Sequence, residues 1–321
     1  MLKKIAKKLK KAEKIAIFTH LNPDGDALGS SFAVKRVLES IGKSAEIYLE
    51  KEMPKKFSYL GEDYKIGDED TKIDADCALV LDCGAYERLG ALENPCKKIP
   101  CVLCVDHHFS GESFGDICYK EVDSPATAQI CYKLCECLTK KISQSACIAM
   151  YTGISTDTGH FKFSSVTAET FEICAKILKS GINHRKITEV LYDTIKYEKL
   201  IFTGKVAERI ELFKNGEIAM LKCPEDFLAE YGLTYDDVEE LPNIPLSIEG
   251  VKVAILVKDK DENSKRVSLR GRDVLDLSEI ADKFGGGGHK NAAAFAAGGD
   301  IDKILDELIL TITKGLDTKD V

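Results

Sequence analysis

Short apolar runs alternate with helical patterns along the first part of the chain, and turn residues separate them. Five of these runs predict β-strands, at 15–20, 44–50, 77–83, 100–108 and 116–121. Parallel strands need a crossover connection that is usually a helix, so the alternation predicts a mostly parallel sheet with helices on its faces. The expected fold class is therefore α/β. Ligands of such a sheet collect beyond the carboxyl ends of its strands.

The second part of the chain changes character after the turn at Asn215 and Gly216. The runs GEIAMLKC, VKVAILVKD and KRVSLRGRD are β-like, and two helical patterns flank a run of glycines. With 321 residues and roughly 150 residues per domain, we expect two domains. The predicted layout is a larger domain at 1–186, a helical linker at 187–213 and a smaller α/β domain at 214–321.

Composition excludes several classes of protein. The net charge of −8 argues against coating long nucleic acid through a broadly basic surface. No apolar run approaches the ~20 residues of a membrane helix, and the lysine-rich start lacks the apolar core of a secretory signal. The amphipathic pattern at 2–12 fits a helix packed on the domain better than a helix on a membrane surface. The twelve cysteines are accordingly expected to be reduced thiols in the cytoplasm.

Acidic and histidine side chains follow the predicted strands on one side of the first domain. They are His20, Asp24 and Asp26 after the first strand, Asp82 after the third, Asp106, His107 and His108 after the fourth, and Asp157 after a helix. Each residue alone has an ordinary structural explanation, such as a turn or a helix cap. Their occurrence together at successive strand ends indicates a shared site.

Carboxylates gathered in this way repel one another unless cations neutralise them. Two divalent ions balance the charge of four ionised aspartates. Because the donor atoms are mostly oxygens with some imidazole and no thiolate, they favour Mn²⁺, with Mg²⁺ or Co²⁺ as alternatives, over a structural zinc site. Two such ions about 3.5–4 Å apart would clamp a phosphoester for in-line attack.

The segments HLNPDGDALGS, LVLDCG, VDHH and TGISTDTGHF resemble, in order, the four motifs of DHH-family phosphoesterases. GGGGHKNAAAF at 285–295 resembles the signature of the DHH-associated domain, so the resemblance covers nearly the whole chain. It implies one metal ion on His20, Asp24 and Asp82, and another on Asp26, Asp82, His107 and Asp157, with Asp82 as the bridge. It also implies that His108 faces the substrate as a catalytic residue. Asp106, the remaining acid of VDHH, is expected to orient a histidine through its other ring nitrogen. We expect a structural role for His160.

In the second domain, the glycine run predicts a backbone N–H nest for a phosphate, with a flexible loop as the alternative. The residues concerned are Gly286, Gly287, Gly288 and His289. Alternation on the neighbouring strand places Arg266, Ser268, Arg270 and Arg272 on one face, where Ser268 and Arg270 are expected to contact a phosphate. Ala294 departs from the family pattern, which has glycine there. A methyl group at this position is expected to perturb a close backbone approach.

Size and layout resemble the branch of the family that degrades short oligoribonucleotides and 3′-phosphoadenosine 5′-phosphate. The resemblance implies metal-assisted hydrolysis of short single-stranded RNA to 5′-mononucleotides, and of 3′-phosphoadenosine 5′-phosphate to AMP. Long duplexes and membranes are not expected as partners, and a homodimer is the one assembly that we consider. The alternatives are a linear or cyclic dinucleotide phosphodiesterase and a non-catalytic nucleotide-binding module. A family II pyrophosphatase shares the four motifs but has a different second domain.

Overall fold

The computed structural model describes residues 1–109, 111, 113–238, 241–261 and 263–318. The chain divides into two compact units, Met1–Thr194 and Ile195–Val321. Within the described residues, every helix is too short or too polar to cross a membrane. All twelve cysteines are free thiols, and most of them are buried.

The first unit contains a six-stranded sheet in which all neighbouring strands are parallel. Its strands are β1 (Lys14–Phe18), β2 (Ser44–Leu49), β3 (Tyr64–Ile66), β4 (Cys77–Leu81), β5 (Val102–Asp106) and β6 (Ile117–Lys120). Their order is β3-β2-β1-β4-β5-β6. The chain therefore moves outward in one direction from β1 and in the other from β4. The predicted α/β fold with a parallel sheet is confirmed.

Helices cover the two faces of this sheet unequally. They are α1 (Leu2–Lys11), α2 (Gly25–Ser40), α3 (Glu93–Lys97), α4 (Thr127–Leu138), α5 (Gln144–Asp157), α6 (Ala168–Leu178) and α7 (His184–Thr188). One hydrophobic core joins the sheet to α1, α2, α4, α5 and α6. A smaller core on the other face packs the strands against α3 and the preceding 3₁₀ helix, Tyr86–Leu92. Strands buried on both faces explain the continuous apolar runs in the sequence.

Glycines allow α2, α4 and α5 to approach closely below the ends of the strands. A Cβ atom on Gly153 of α5 would lie 2.6 Å from the Cβ of Ala128 and 2.8 Å from Oδ1 of Asp26. A Cβ on Gly29 of α2 would collide with the carbonyl oxygen of Ala149. These two glycines therefore permit the contact that brings the first turn of α2 beside α4 and α5.

The second unit contains a mixed six-stranded sheet, in the order β11-β12-β10-β9-β8-β7. Its strands are β7 (Ile210–Phe213), β8 (Ile218–Cys223), β9 (Val253–Asp261), β10 (Ser264–Gly271), β11 (Gly287–His289) and β12 (Ala292–Gly298). Its helices are α8 (Tyr197–Glu208), α9 (Glu225–Ala229), α10 (Asn243–Leu246), α11 (Leu277–Asp282) and α12 (Ile301–Asp317). One core packs the sheet against α11 and α12, and another packs it against α8 and α9.

The segment 187–213, predicted as a helical linker, is not a single helical element. It contains the end of α7, a π-helical turn at Glu189–Asp193 and α8. Its last four residues form β7, which pairs with β8 in the second sheet. Strand β7 is only partly buried, and the alternation of its four residues is too weak to predict a strand from the sequence.

We predict that Gly153→Ala destabilises the protein although alanine is the better helix former. Helix propensity favours alanine by about 1 kcal/mol, but overpacking a close helix contact costs typically 1–3 kcal/mol. Gly204→Ala is the matched control, because Gly204 also lies within a helix and an added Cβ would meet no heavy atom within 4 Å. That substitution should stabilise the protein by about 0.4–1 kcal/mol. Urea unfolding followed by circular dichroism measures both changes, and equal stabilisation by the two substitutions would refute the close-contact explanation.

Candidate metal centre

The candidate site lies where the order of the parallel sheet reverses, between β1 and β4. His20 follows β1, Asp82 follows β4, and His107 and His108 follow β5. A reversal of this kind leaves a crevice beyond the carboxyl ends of the strands, which is the usual ligand site of open α/β sheets. The structure therefore places these candidate residues beyond the carboxyl ends of β1, β4 and β5.

Asp82 is the central carboxylate of the site and is 2% exposed. Its Oδ2 lies 3.7 Å from Nε2 of His20, whereas its Oδ1 lies 3.6 Å from Nε2 of His107. Thr127 donates a hydrogen bond to Oδ1 at 2.9 Å. The backbone has φ +57°, a left-handed conformation that is uncommon for a residue other than glycine. The two oxygens of one carboxylate thus face two different histidines.

The first turn of α2 supplies two further carboxylates. Asp24 caps the helix by accepting hydrogen bonds from the backbone of Asp26 and Ala27, and its Oδ1 lies 4.0 Å from Nε2 of His20. Asp26 is 1% exposed and accepts hydrogen bonds from the amides of Thr127 at 2.6 Å and Ala128 at 2.8 Å. The amino-terminal end of α4, which carries partial positive charge, therefore holds the Asp26 carboxylate in place.

The two histidines that follow β5 have different partners. Nδ1 of His107 lies 3.1 Å from the carbonyl oxygen of Ser124, which can only accept, so this nitrogen donates. The other ring nitrogen, Nε2, lies 3.3 Å from Oδ2 of Asp157. Nδ1 of His108 instead lies 2.7 Å from Oδ1 of Asp106. His107 therefore directs Nε2 toward the carboxylates while a backbone carbonyl holds Nδ1, which is the arrangement of a metal-ligating histidine.

The structure brings the six predicted ligands into two groups that could each hold a metal ion. One group contains His20, Asp24 and Asp82, and the other contains Asp26, His107 and Asp157. Within each group the potential ligand atoms lie within 4.8 Å of one another. Asp82 also lies with His107 and His108 in a third such group, so it connects both parts of the site. His160 is in none of the three and packs against Tyr192, with ring centroids 4.6 Å apart.

The protein itself stabilises the negative charges of the site carboxylates only weakly. Burial raises the pKa of Asp82 to about 8, and the charge of Asp24 acts in the same direction. Burial also raises the pKa of Asp26 well above its ordinary value, with Asp82 and Asp157 adding to it. Burial likewise raises the pKa of Asp157, although His107 opposes this. In the described part of the chain, the ion-pair contacts of these carboxylates and of Asp24 are to histidines of the site.

This donor set fits divalent cations. Carboxylate oxygens and imidazole nitrogens are ligands of Mn²⁺ and related ions, and a bound cation would remove the repulsion that raises the pKa values. Asp106 differs from the others. Burial acts to raise its pKa, but the hydrogen bonds and charge of His108, together with the charge of Lys120, outweigh burial and lower the pKa. The same contact raises the pKa of His108. Asp106 contacts a histidine ring, as the sequence predicts for it.

In the second unit, three of the predicted substrate contacts lie on one face of the sheet. Ala292 of β12 pairs with Arg270 on one side and with His289 on the other. Ala294, two residues further along β12, pairs with Ser268. Residues directly opposite in antiparallel strands share a face. The other face carries the apolar side chains of β10 and β12 and packs on α11 and α12.

One expectation for this region needs correction. Gly287, Gly288 and His289 form the edge strand β11 rather than a loop, because they pair with β12. Arg272 lies beyond the end of β10 and donates a hydrogen bond to the carbonyl oxygen of Leu246. The methyl group of Ala294 is accommodated in β12 with no positive φ.

Two family models match this chain, one for the DHH family, N-terminal domain, over residues 14–154, and one for the DHHA1 domain, over residues 215–314. The chain is also 30% identical to the bifunctional oligoribonuclease and PAP phosphatase NrnA of Thermus thermophilus, over 97% of this chain and 93% of that protein. The chain belongs to the DHH family.

Further comparisons extend this DHH assignment to the whole fold. The solved structure of an exopolyphosphatase-related protein from Bacteroides fragilis matches with a TM-score of 0.86 and 25% identity, and the match covers 99% of this chain and 95% of that one. The cyclic-di-AMP phosphodiesterase GdpP of Bacillus subtilis is 24% identical over 92% of this chain but only 46% of its own length. The predicted resemblance to DHH proteins with a DHH-associated domain is confirmed.

Sequence reasoning missed two residues that shape this DHH site. Thr127 contacts Asp82 through its hydroxyl and Asp26 through its backbone amide. Gly153 leaves the space that the Asp26 carboxylate occupies. Neither has a local signal, since a threonine at the start of a helix and a glycine within one are ordinary. The segment TGISTDTGHF contains Gly153, but the motif directs attention to Asp157 as its predicted ligand.

We predict that stabilisation of the protein by Mn²⁺ increases with pH up to about 8. The pKa of Asp82 is raised from its ordinary value, so without metal the folded protein keeps a proton that the unfolded chain releases. Stability of the metal-free protein should accordingly fall as pH rises from about 4 to about 8. A metal ion must displace that proton, so its apparent affinity should rise up to about tenfold per pH unit in this window.

The measurement is the thermal shift caused by a fixed Mn²⁺ concentration across a pH series. Asp82→Asn is the comparison variant, because it retains the shape of the side chain but has no proton to displace at this position. A Mn²⁺-induced shift that is the same at every pH in the wild-type protein would contradict the account of Asp82.

Proposed function

We propose that this chain is a metal-dependent phosphoesterase that cleaves short oligoribonucleotides to 5′-mononucleotides and 3′-phosphoadenosine 5′-phosphate to AMP. The observation that carries the proposal is the Asp82 carboxylate, whose two oxygens face His20 and His107 at 3.7 and 3.6 Å. A carboxylate placed between two groups of ligands suits two metal ions, and two-metal sites are typical of phosphoester hydrolysis. The substrates are proposed from the similarity to NrnA of Thermus thermophilus.

His20, Asp24 and Asp82 would hold one metal ion, and Asp26, Asp82, His107 and Asp157 the other. When bound, the ions supply Lewis acidity toward the phosphoryl oxygens and lower the pKa of a coordinated water. The oxygen-rich donor set favours Mn²⁺, with Mg²⁺ and Co²⁺ as alternatives. The hydrogen bond from His107 to Ser124 fixes the ring so that Nε2 is available as a ligand.

His108 is the proposed catalytic acid. Its Nδ1 is hydrogen-bonded to Asp106, which orients the ring and leaves Nε2 for the substrate. The contact with Asp106 raises the pKa of His108, although burial opposes this, so the ring retains a proton more readily near neutral pH. A protonated imidazole can stabilise phosphoryl charge and donate its proton to the leaving oxygen.

The second unit is proposed to bind a phosphate of the nucleotide through Arg270, Ser268 and His289. These side chains share one face of the sheet, and among the described residues Arg270 has no carboxylate partner. Burial lowers the pKa of Arg270, and the neighbouring charge of Arg266 adds to this, so an anion would relieve both effects. Gly286, Gly287 and Gly288 lead into and form the edge strand β11, and the outer side of an edge strand presents unpaired backbone N–H groups.

A substrate panel tests the proposal. End-labelled RNAs of two to five nucleotides, 3′-phosphoadenosine 5′-phosphate and cyclic di-AMP would be incubated with the Mn²⁺-loaded full chain, and products would be resolved by length. We expect a ladder ending in 5′-mononucleotides and release of AMP. Turnover of cyclic di-AMP alone would favour a signalling phosphodiesterase, the activity for which the relative GdpP is named. Absence of any metal-dependent turnover would refute the enzymatic proposal.

Substitution of the two adjacent histidines should separate metal binding from proton transfer. His107→Ala should weaken Mn²⁺ binding, because it removes the nitrogen nearest to Asp157. His108→Ala should retain Mn²⁺ but lower kcat by roughly 10²- to 10⁴-fold, the usual range for general acid–base catalysis. Isothermal titration with Mn²⁺ and steady-state kinetics on a short RNA measure the two effects. If His108→Ala loses metal and His107→Ala does not, the two roles are reversed.

Substitution in the second unit should affect nucleotides more than a small artificial ester. Arg270→Ala and His289→Ala remove the proposed phosphate contacts but leave the carboxylates of the first unit unchanged. Loss of one charged hydrogen bond of ~1.5–3 kcal/mol corresponds to about 10- to 150-fold in kcat/KM. The comparison uses a short RNA and bis-p-nitrophenyl phosphate as substrates. Equal losses on both would show that these residues support folding or the metal site instead.

A further inference from the structure

The 3₁₀ helix Tyr86–Leu92 lies beside the ligand group of His20, Asp24 and Asp82. Hydrogen bonds and buried side chains hold this helix in place. The carbonyl oxygen of Arg88 accepts a hydrogen bond of 2.7 Å from the amide of Leu21, the residue that follows His20. Further along, the amide of Ala91 donates to Oε2 of Glu50 at 2.8 Å. Leu89 and Leu92 are buried in the core on this face of the sheet. The segment therefore holds the backbone of Arg88 in a fixed position next to His20.

The side chain of Arg88 carries a charge that the site does not neutralise. Arg88 is exposed, and within the described part of the chain its guanidinium forms no ion pair. Its backbone carbonyl is hydrogen-bonded to the amide of the residue that follows His20, so the side chain begins beside this ligand. A charged side chain without an ion-pair partner therefore starts at the edge of the ligand group.

We propose that Arg88 binds the non-bridging oxygens of the phosphate that is cleaved. This assignment rests on the proposed phosphoesterase function and adds a substrate-binding residue from the first unit. Two divalent ions are already matched by the charges of Asp24, Asp26, Asp82 and Asp157, so the negative charge of an incoming phosphodiester needs a further cation. A guanidinium meets that need well, since its planar fork donates two parallel hydrogen bonds to phosphate oxygens.

Ordinary surface arginines provide the alternative explanation, in which Arg88 is only a solvated charge. Two features argue against it. The backbone is hydrogen-bonded to the residue after His20 rather than placed in a free loop, and the 3₁₀ helix that carries it is anchored by the buried side chains of Leu89 and Leu92. A charge in this place would repel a bound metal ion unless an anion lay between them. A substrate phosphate is such an anion.

The test compares Arg88→Ala and Arg88→Lys with Arg185→Ala, a substitution of an exposed arginine in α7. AMP is the binding probe, because RNA cleavage leaves the cleaved phosphate on a 5′-mononucleotide. Isothermal titration of the Mn²⁺-loaded full chain should show AMP binding weakened roughly 10- to 150-fold by Arg88→Ala, the effect of losing a charged hydrogen bond. Arg88→Lys should lie between Arg88→Ala and the wild type, since lysine keeps the charge but not the fork. Arg185→Ala should bind AMP as the wild type does.

Mn²⁺ binding and KM for a short RNA complete the experiment. The proposal expects unchanged Mn²⁺ stoichiometry in both Arg88 variants and a raised KM in Arg88→Ala. Wild-type AMP affinity and KM in Arg88→Ala would overturn it, and so would loss of Mn²⁺, which would make Arg88 a support of the metal site. Failure of the wild-type protein to cleave any substrate would refute the proposed function separately, because AMP binding measures the role of Arg88 without turnover.

Discussion

Electrostatic repulsion among buried carboxylates is the constraint around which the first unit is built. Asp26 and Asp82 are almost completely buried, and Asp24 and Asp157 lie close to them. Ionising such a group costs several kcal/mol unless opposite charge or hydrogen bonds compensate it. The protein supplies part of the compensation through the amides at the start of α4, which bind Asp26, and through Thr127, which binds Asp82. The remainder calls for cations, and this need connects the fold to the proposed chemistry.

The packing of the helices also serves to stabilise the buried carboxylates. The carboxylate of Asp26 can reach the amino terminus of α4 only because Gly153 leaves space beside it. Asp82 reaches both histidine groups from the end of β4 with its backbone in a left-handed conformation, which the amide hydrogen bond to the carbonyl oxygen of Val105 helps to hold. Strained backbone of this kind persists where the surroundings fix it, and it is found often at functional sites.

The residues of the site could be predicted from sequence largely because they directly follow the strands. Apolar runs of this length indicate buried parallel strands, and the polar residues after each run then fall at one edge of the sheet. This pattern predicts His20, Asp82 and His107. Thr127 and Arg88 could not be predicted in this way, because their importance comes from contacts with residues distant in sequence. Neither belongs to a run that marks a strand end.

In the second unit, the sequence predicts the strands less well. Strand β12 consists mainly of alanine and glycine, which have low strand propensity, and its conformation depends on pairing with β10 and on burial of Phe295. The glycines before it suggest a loop, whereas pairing with β12 makes them the edge strand β11. The prediction that Ser268 and Arg270 share a face is nonetheless correct. Side chains alternate between the two faces within any strand, whichever strand it pairs with.

The number of bound metal ions decides whether two cations share Asp82. The full chain would be stripped of metal, titrated with Mn²⁺ by calorimetry, and compared with Asp82→Asn. We expect two ions per wild-type chain and fewer than two in the variant, with circular dichroism showing that both are folded. Two ions bound with unchanged affinity in Asp82→Asn, or no Mn²⁺ bound by the wild type, would contradict the assignment of Asp82 as the carboxylate shared by two cations.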